Sequence, residues 1–388
     1  MTKYLVGRLA AGLITLVVFA TILFFMTDLL MPGDFVTRFT NDLTDAQMAE
    51  LRNYLGIDRP LLVRYVEYMK GLATGDLGLS FWGVSVSSLL WALLPWTLLI
   101  LVVAMGVAFP AGYWMGKRAA WKSGATGSAG LTMGSIALHT TFPPLLVFVL
   151  AIGTAKLTSG EGMNSLHRLF LSGDLASQTV WRMLGTIAVV AIAVSAMGLL
   201  LSRRKKSAPT RLWIPALVIG PVLAWAAMGM AGAAFDVLLY LALPITAVAL
   251  LAVGEVVLVT KATTAAAAQE DFVIGARAKG VQEADIRDHH AARYALLPTL
   301  SKLAVSVPFV LAGLMIVEVS FGWPEAGTLG LTVPGLSSML FTSLEQRDVP
   351  VVVGGLFAIG LIVLTLRLLL DVAHATLDPR IRFGRDAA

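Results

Sequence analysis

Eight stretches of this chain, near residues 8–31, 94–116, 131–154, 183–201, 212–231, 236–259, 300–320 and 350–373, each run for about the 20 apolar residues that an α-helix needs to cross a hydrocarbon layer. A backbone in hydrocarbon has no water to satisfy its N–H and C=O groups. Repeated runs of this length therefore dictate an all-α polytopic membrane protein. Composition points the same way: of 388 residues, 57% are hydrophobic and 14% charged, against roughly 25% charged in an ordinary soluble domain. The least defined boundaries fall at Pro143 and Pro144, inside the third window, and at AGAAFD (231–236) between the fifth and sixth.

The first apolar run is longer than the core of a secretory signal and no small-x-small cleavage site follows it, so it reads as a retained anchor. With the N-terminus inside, about two thirds of the 29 lysines and arginines fall on cytoplasmic segments, which predicts both termini in the cytoplasm. The net charge of +5 reflects that bias and not a nucleic-acid surface. The run RRKK (203–206) reads as a stop-transfer signal between two spans.

Between the first two spans an outer segment, 32–93, is long enough to fold. Thr44 or Asp45 can cap a short helix over TDAQMAELRNYLG (44–56), and a second helix is predicted from Pro60. Its stripe of Leu61, Tyr65, Tyr68, Met69 and Leu72 needs an apolar surface to cover, most simply the outer ends of the membrane helices, and the segment reads equally as a packed cap or as a docking surface for an external partner.

Few catalytic chemistries fit. The chain has no cysteine, which excludes disulfides, thiolate catalysis and Cys-based metal sites. His289 and His290 are adjacent, so on a helix they point about 100° apart and do not chelate as an i, i+4 pair does. His139, His167 and His374 lie in separate segments, and no G-x-S-x-G elbow is present. GYWMGKR (112–118) has one residue too few between its glycines for a phosphate-binding loop and carries Arg118 where the magnesium-binding Ser or Thr belongs. The chain therefore reads as lacking its own ATP-hydrolysing site. Intramembrane charges are costly enough to mark function, and the candidates are Asp28, Asp236, Glu255, Glu318, Arg367 and Asp371, with Arg367 and Asp371 spaced for a helical ion pair. A proton-coupled transporter needs several facing carboxylates near mid-membrane, which these scattered positions do not supply.

The most polar segment of the C-terminal half is QEDFVIGARAKGVQEADIRDHHAARYALLP (269–298). Its pattern predicts a short helix, a turn at Gly280 and a second helix that stops at Pro298 before the next span. Small residues at Gly275, Ala276 and Ala278 permit close approach by another protein, and Arg277, Lys279, Glu283 and Asp285 can pair with it.

This segment resembles the E-A-A loop of importer-type ABC permeases, in the form used by dipeptide and oligopeptide permeases, where A-R-A-K-G (Ala276 to Gly280) is followed by A-L-L-P (Ala295 to Pro298). The similarity extends to YLVGRL and FFMTDLLMPGD at the N-terminus, LGIDRPLLVRYVEYMKGLATGDLGLSF (55–81), MIVEVSFGWPEAG (315–327) and DVAHATLDPRIRFG (371–384). The resemblance implies a type I importer permease fold and a coupling helix seated in a groove of a separate ATPase, with Ala276, Arg277, Ala278, Lys279, Gly280 and Glu283 at the contact. It further implies ATP and magnesium bound by two partner ATPases and not by this chain, a second homologous permease, an extracytoplasmic substrate-binding protein, and an inner-membrane location. The implied solute is a peptide, with oligosaccharide, glutathione and nickel as the alternatives inside the class. Ile274 stands at the motif's leading glutamate position, Leu258 and Lys261 where relatives have two arginines, and Glu325 and Ala326 in place of a glycine-rich turn.

Such permeases have six spans. The chain is accordingly divided into an N-terminal span (1–31), an extracytoplasmic helical segment (32–93), core spans (94–154), an inserted region with an extra helix pair (155–235) and a C-terminal core (236–388) carrying the coupling loop 261–299.

Overall fold

A computed structural model describes residues 2–30, 35–39, 41–121, 126–157, 177–203, 213–322 and 333–377. Among them the only extended pairing is a single bridge between Leu79 and Ser85, and everything else regular is helical. The chain forms two compact units, one from Met1–Leu94, Ala304–Pro308 and Leu336–Ala388, the other from Pro95–Leu303 and Phe309–Gly335.

The first unit contains α1 (Thr2–Leu30), a 3-10 turn (Phe35–Phe39), α2 (Asp45–Leu55), α3 (Leu61–Thr74), the start of α4 (Val86–Trp121), and two later helices, Leu336–Gln346 and Val349–Leu377. Helix α1 lies along Val349–Leu377, and glycines bring the two together: a Cβ on Gly12 would come 2.6 Å from Leu364, and one on Gly360 2.6 Å from Phe19. Of the two residues expected to cap α2, Thr44 does so, in a reciprocal box with Gln47, and Asp45 is the first residue of the helix. Helix α3 does cover α1. Tyr65 and Tyr68 lie against the Phe24 ring at 5.5 and 5.3 Å, and the Tyr65 hydroxyl meets Thr21 Oγ1 at 3.0 Å.

The second unit holds the rest of α4, then α5 (Thr126–Thr140), α6 (Pro143–Leu157), α7 (Ser177–Arg203), α8 (Trp213–Ala227), α9 (Ala231–Tyr240), α10 (Ala242–Ala267), α11 (Asp271–Ala278) and, apart from Ala304–Pro308, α12 (Ala292–Gly322). Its most buried element is α10, packed against α5 and α6. A Cβ on Gly254 would sit 2.7 Å from the Ser135 carbonyl, so only glycine lets α5 approach this closely. Helices α7 and α8 form a pair, with Trp225 donating to Thr186 Oγ1 at 2.5 Å and Gly220 against Val190. The first unit closes with α13 (Leu336–Gln346) and α14 (Val349–Leu377).

Among the described residues five helices are long and apolar enough to cross a membrane alone, and up to seven segments qualify if each bent pair is one span. The prolines account for much of the difference from the eight apolar windows. Pro143 and Pro144 lack the N–H groups that would continue α5, so the third window becomes two helices meeting at 106°. The fifth window is the 15-residue α8, and the sixth divides into the 10-residue α9 and α10 at Leu241. Pro298 does not end a helix as expected. It lies inside α12, where it removes one backbone bond and the ladder resumes.

Asp371 pairs with Arg8 at 3.6 Å, a partner that its spacing from Arg367 did not suggest. The segment 158–176, RRKK beyond Arg203, Glu325, Ala326, His167 and the tail beyond 377 lie outside the described residues, as do the side chains of Asp28 and His374.

Candidate coupling site

Residues 268–291 leave α10 and return to α12 by way of a helix, a glycine turn and a second helical segment, as the pattern around Gly280 predicts. Helix α11 ends in a Schellman arrangement: Gly280 N–H donates to the Arg277 carbonyl at 2.9 Å and Val281 N–H to the Ala276 carbonyl at 3.2 Å. Gly280 has φ +73°, a left-handed value that costs any residue with a Cβ about 1–2 kcal/mol. The chain restarts at Gln282 in an extended conformation, makes one turn over Glu283–Asp285, and passes through a π-helical turn, Ile286–Ala291, into α12.

The inner side of this element is apolar. Val273 and Ala276 from α11 join Ile286 and Ala291 from the π turn, Ala267 at the end of α10 and Ala295 in α12, with Trp121 and Val281 at the margin. Ala276 therefore faces its own chain, where its small side chain permits close internal packing. The outward face of α11 carries Ile274, Gly275, Ala278 and Lys279, with Ile274 58% and Phe272 38% exposed. A Cβ on Gly275 meets nothing within 4 Å, so this part of the surface is open to a flat partner.

Arg277 and Glu283 pair with each other across the glycine turn, Nε to Oε1 at 2.7 Å. Trp121 Nε1 donates to the other oxygen, Oε2, at 2.9 Å, and the Arg277 guanidinium stands 5.5 Å from the Trp121 ring centre. The Arg277 hydrogen bond holds the Glu283 carboxyl below its ordinary range, with Trp121 adding to the effect. The six expected site residues thus divide by role: Ala276 is buried, Arg277 and Glu283 clamp the turn, Gly280 shapes it, and Ala278 and Lys279 remain outward.

Nothing in the local sequence signals the next contact. The Asp288 carboxylate accepts from Arg287 Nε at 3.0 Å and Nη2 at 2.7 Å, and from Lys117 of α4, 3.0 Å away. The Arg287 guanidinium, and behind it the Lys117 ammonium, hold the Asp288 carboxyl well below the usual carboxylate range. His289 and His290 turn outward. His289 Nδ1 lies 3.5 Å from the Asp285 carboxylate, and His290 Nδ1 lies 3.3 Å from the Asp285 carbonyl.

Of the other charges singled out, Glu318 is fully buried beside Gly335, where a Cβ would run into its carboxylate. Asp236 and Glu255 are half-buried, and Lys261 donates to Thr132 Oγ1 at 2.6 Å. Among the described residues no three His, Asp or Glu side chains gather as a metal site would require.

These contacts hold the two helical segments of the element together, and the sequence that builds them matches those of known proteins. Residues 210–383 match the family described as binding-protein-dependent transport system inner membrane component, and residues 1–82 match its N-terminal companion. The chain belongs to this family of binding-protein-dependent permeases. Relatives along the whole length include a Brucella ovis protein that carries a peptide permease name, 27% identical with 98% of this chain and 99% of the relative covered. They also include the di/tripeptide transport system permease of Pseudomonas aeruginosa, 27% identical with 94% of each covered, and the dipeptide transport system permease of Escherichia coli K12, 25% identical with 98% and 99% covered. Members of the family are inner-membrane components of transport systems. The site described above lies within the matched residues 210–383, apart from its α4 contributions.

Proposed function

We propose that this permease forms half of a translocation pathway for peptides, driven by ATPase subunits that dock on the outward face of α11. Whole-length similarity to peptide permeases supports the solute class. The observation that carries the coupling role is the rigid helix–glycine–helix element, clamped by Arg277 and Glu283 and presenting Ile274, Ala278 and Lys279 outward. A polar element preorganised this way loses little conformational freedom on binding, so a partner's movement reaches the helices attached to it. The asymmetry of lysine and arginine supports a cytoplasmic position for this face and both termini. A second permease, two ATPases that bind ATP and magnesium, and an extracytoplasmic binding protein complete the assembly, and nucleic acid has no part in it.

The test is reconstitution of the assembled transporter in proteoliposomes, with uptake of radiolabelled di- and tripeptides followed with and without ATP. ATP-dependent uptake that stops when the ATPase is made hydrolysis-dead is the expected result. Uptake that persists with the dead ATPase would sink the importer reading, and ATP-driven uptake of oligosaccharide or nickel but not peptide would replace the solute.

A further inference from the structure

One face of α4 meets the coupling element three times in succession. Tyr113, Lys117 and Trp121 are spaced i, i+4, i+8, which lines them along one side of a helix. The Tyr113 hydroxyl donates to the Ala292 carbonyl at 2.7 Å, Lys117 pairs with Asp288 at 3.0 Å, and Trp121 Nε1 donates to Glu283 at 2.9 Å. These three acceptors follow the returning chain from its single turn at Glu283, through the π turn, to the first residue of α12. Two of the contacts are charge-assisted, the stronger and more directional kind of hydrogen bond.

The neighbouring flank of the same helix is fastened to α10. A Cβ on Gly112 would come 2.7 Å from Val256, and one on Gly116 would come 2.7 Å from Thr260 Cβ and 2.8 Å from the Val257 carbonyl. Backbones this close slide or rotate past each other only by clashing, so the two helices move together. The α10 end of the coupling segment and its α12 end are therefore both tied to one rod.

We infer that α4 is the lever of this permease, with Tyr113, Lys117 and Trp121 as positioning residues that oblige it to move with the coupling element as one body. The family match stands apart from this assignment, because α4 lies outside residues 1–82 and 210–383 except through its contacts. The inference rests on the reading of the chain as a permease driven by separate ATPases.

The absence of native cysteine allows a direct test. Spin labels at V107C, exposed on α4, and A284C, exposed beside Glu283, report the distance between lever and coupling element in the assembled transporter. That distance is expected to be the same in the nucleotide-free and ATP-trapped states, while a distance from V107C to a label on the ATPase changes. A change between V107C and A284C in the wild-type background overturns the inference. Lys117→Met is expected to keep the ATPases bound and hydrolysing while transport per ATP falls by roughly tenfold or more, and Lys117→Arg is expected to restore it. Loss of ATPase binding in Lys117→Met, or wild-type transport per ATP, overturns the lever assignment. Failure of the wild-type chain to assemble with ATPases sinks the functional reading itself, and the two failures are thereby told apart.

Discussion

The buried carboxylate of Asp348 accepts a hydrogen bond from the Ser80 hydroxyl, a residue 268 positions earlier in the chain. It also accepts from the Phe81 N–H at 3.4 Å, and its two predecessors reach other parts of the same unit. Arg347 donates to Thr37 Oγ1 at 3.0 Å, and Gln346 accepts from Trp82 Nε1 at 3.0 Å. Three consecutive residues, the last of α13 and the two that lead into α14, thus hold the loop before α4 and the turn after α1. Arg347 has φ +57°, the one non-glycine residue with positive φ among those described, so the junction stores backbone strain in exchange for these bonds.

Asp348→Ala leaves the Ser80 hydroxyl in a buried site without its acceptor. A loss of about 2 kcal/mol is expected, from the usual value of a hydrogen bond to a charged group. It is measured as a lower thermal inactivation temperature in detergent, and an unchanged temperature would contradict the role given to the pair.

Glycines in this chain have opposite tolerances, and two substitutions separate them. Gly116→Ala puts a methyl against the Val257 carbonyl and Thr260, with an expected cost of about 1–3 kcal/mol for overpacking. Gly275→Ala meets open space within α11 and is expected to stabilise that helix by up to about 1 kcal/mol. Thermal inactivation of the two variants is expected to move in opposite directions.

Gly280 combines open surroundings with a left-handed backbone. Gly280→Trp is therefore expected to insert normally, to distort the turn between α11 and Glu283, and to uncouple ATP hydrolysis from transport. Membrane insertion is read by fractionation and coupling by uptake per ATP; full coupling would remove Gly280 from the assigned interface.

The pH response of the Lys117–Asp288–Arg287 junction follows from the depressed Asp288 carboxyl. A carboxylate with a lowered folded-state pKa contributes stability that is complete above its unfolded value, about 3.9. That contribution is lost only as pH falls through the lower folded value. The stability difference between wild type and Asp288→Asn is accordingly expected to be flat from pH 8 to about 5, and to shrink below about 4. A difference that disappears between pH 7 and 5 would mean that the carboxylate is not held as described.

Much of the candidate site was legible in local sequence. The start of α2 at Thr44 or Asp45 is signalled by its capping residues, and Gly280 amid charged, helix-forming residues reads as a turn. Both signals are local because the bonds that they predict are local. Ala276 was misleading for the complementary reason: a small residue suits an external contact or an internal one equally, and only the fold brings Ile286, Ala291 and Ala295 to cover it. Asp371 has Arg367 four residues away along the helix and Arg8 far away along the chain, and the packing of α1 on α14 supplies Arg8 as a partner. The α4 stripe had a signal of its own, polar-tipped Tyr113, Lys117 and Trp121 at helical spacing, but nothing in that spacing says what they touch.

The sequence by itself determined that this chain is a set of apolar helices with a polar element at 269–298, because apolar runs of about 20 residues satisfy their own backbone in hydrocarbon as helices and charge is costly there. The tertiary structure alone decided where apolar windows break, which face of α11 is free, and which helix the polar element leans on. Those outcomes depend on contacts between residues more than a hundred positions apart, such as Lys117 with Asp288, and on the missing side chains of Gly112 and Gly116 that let two helices touch.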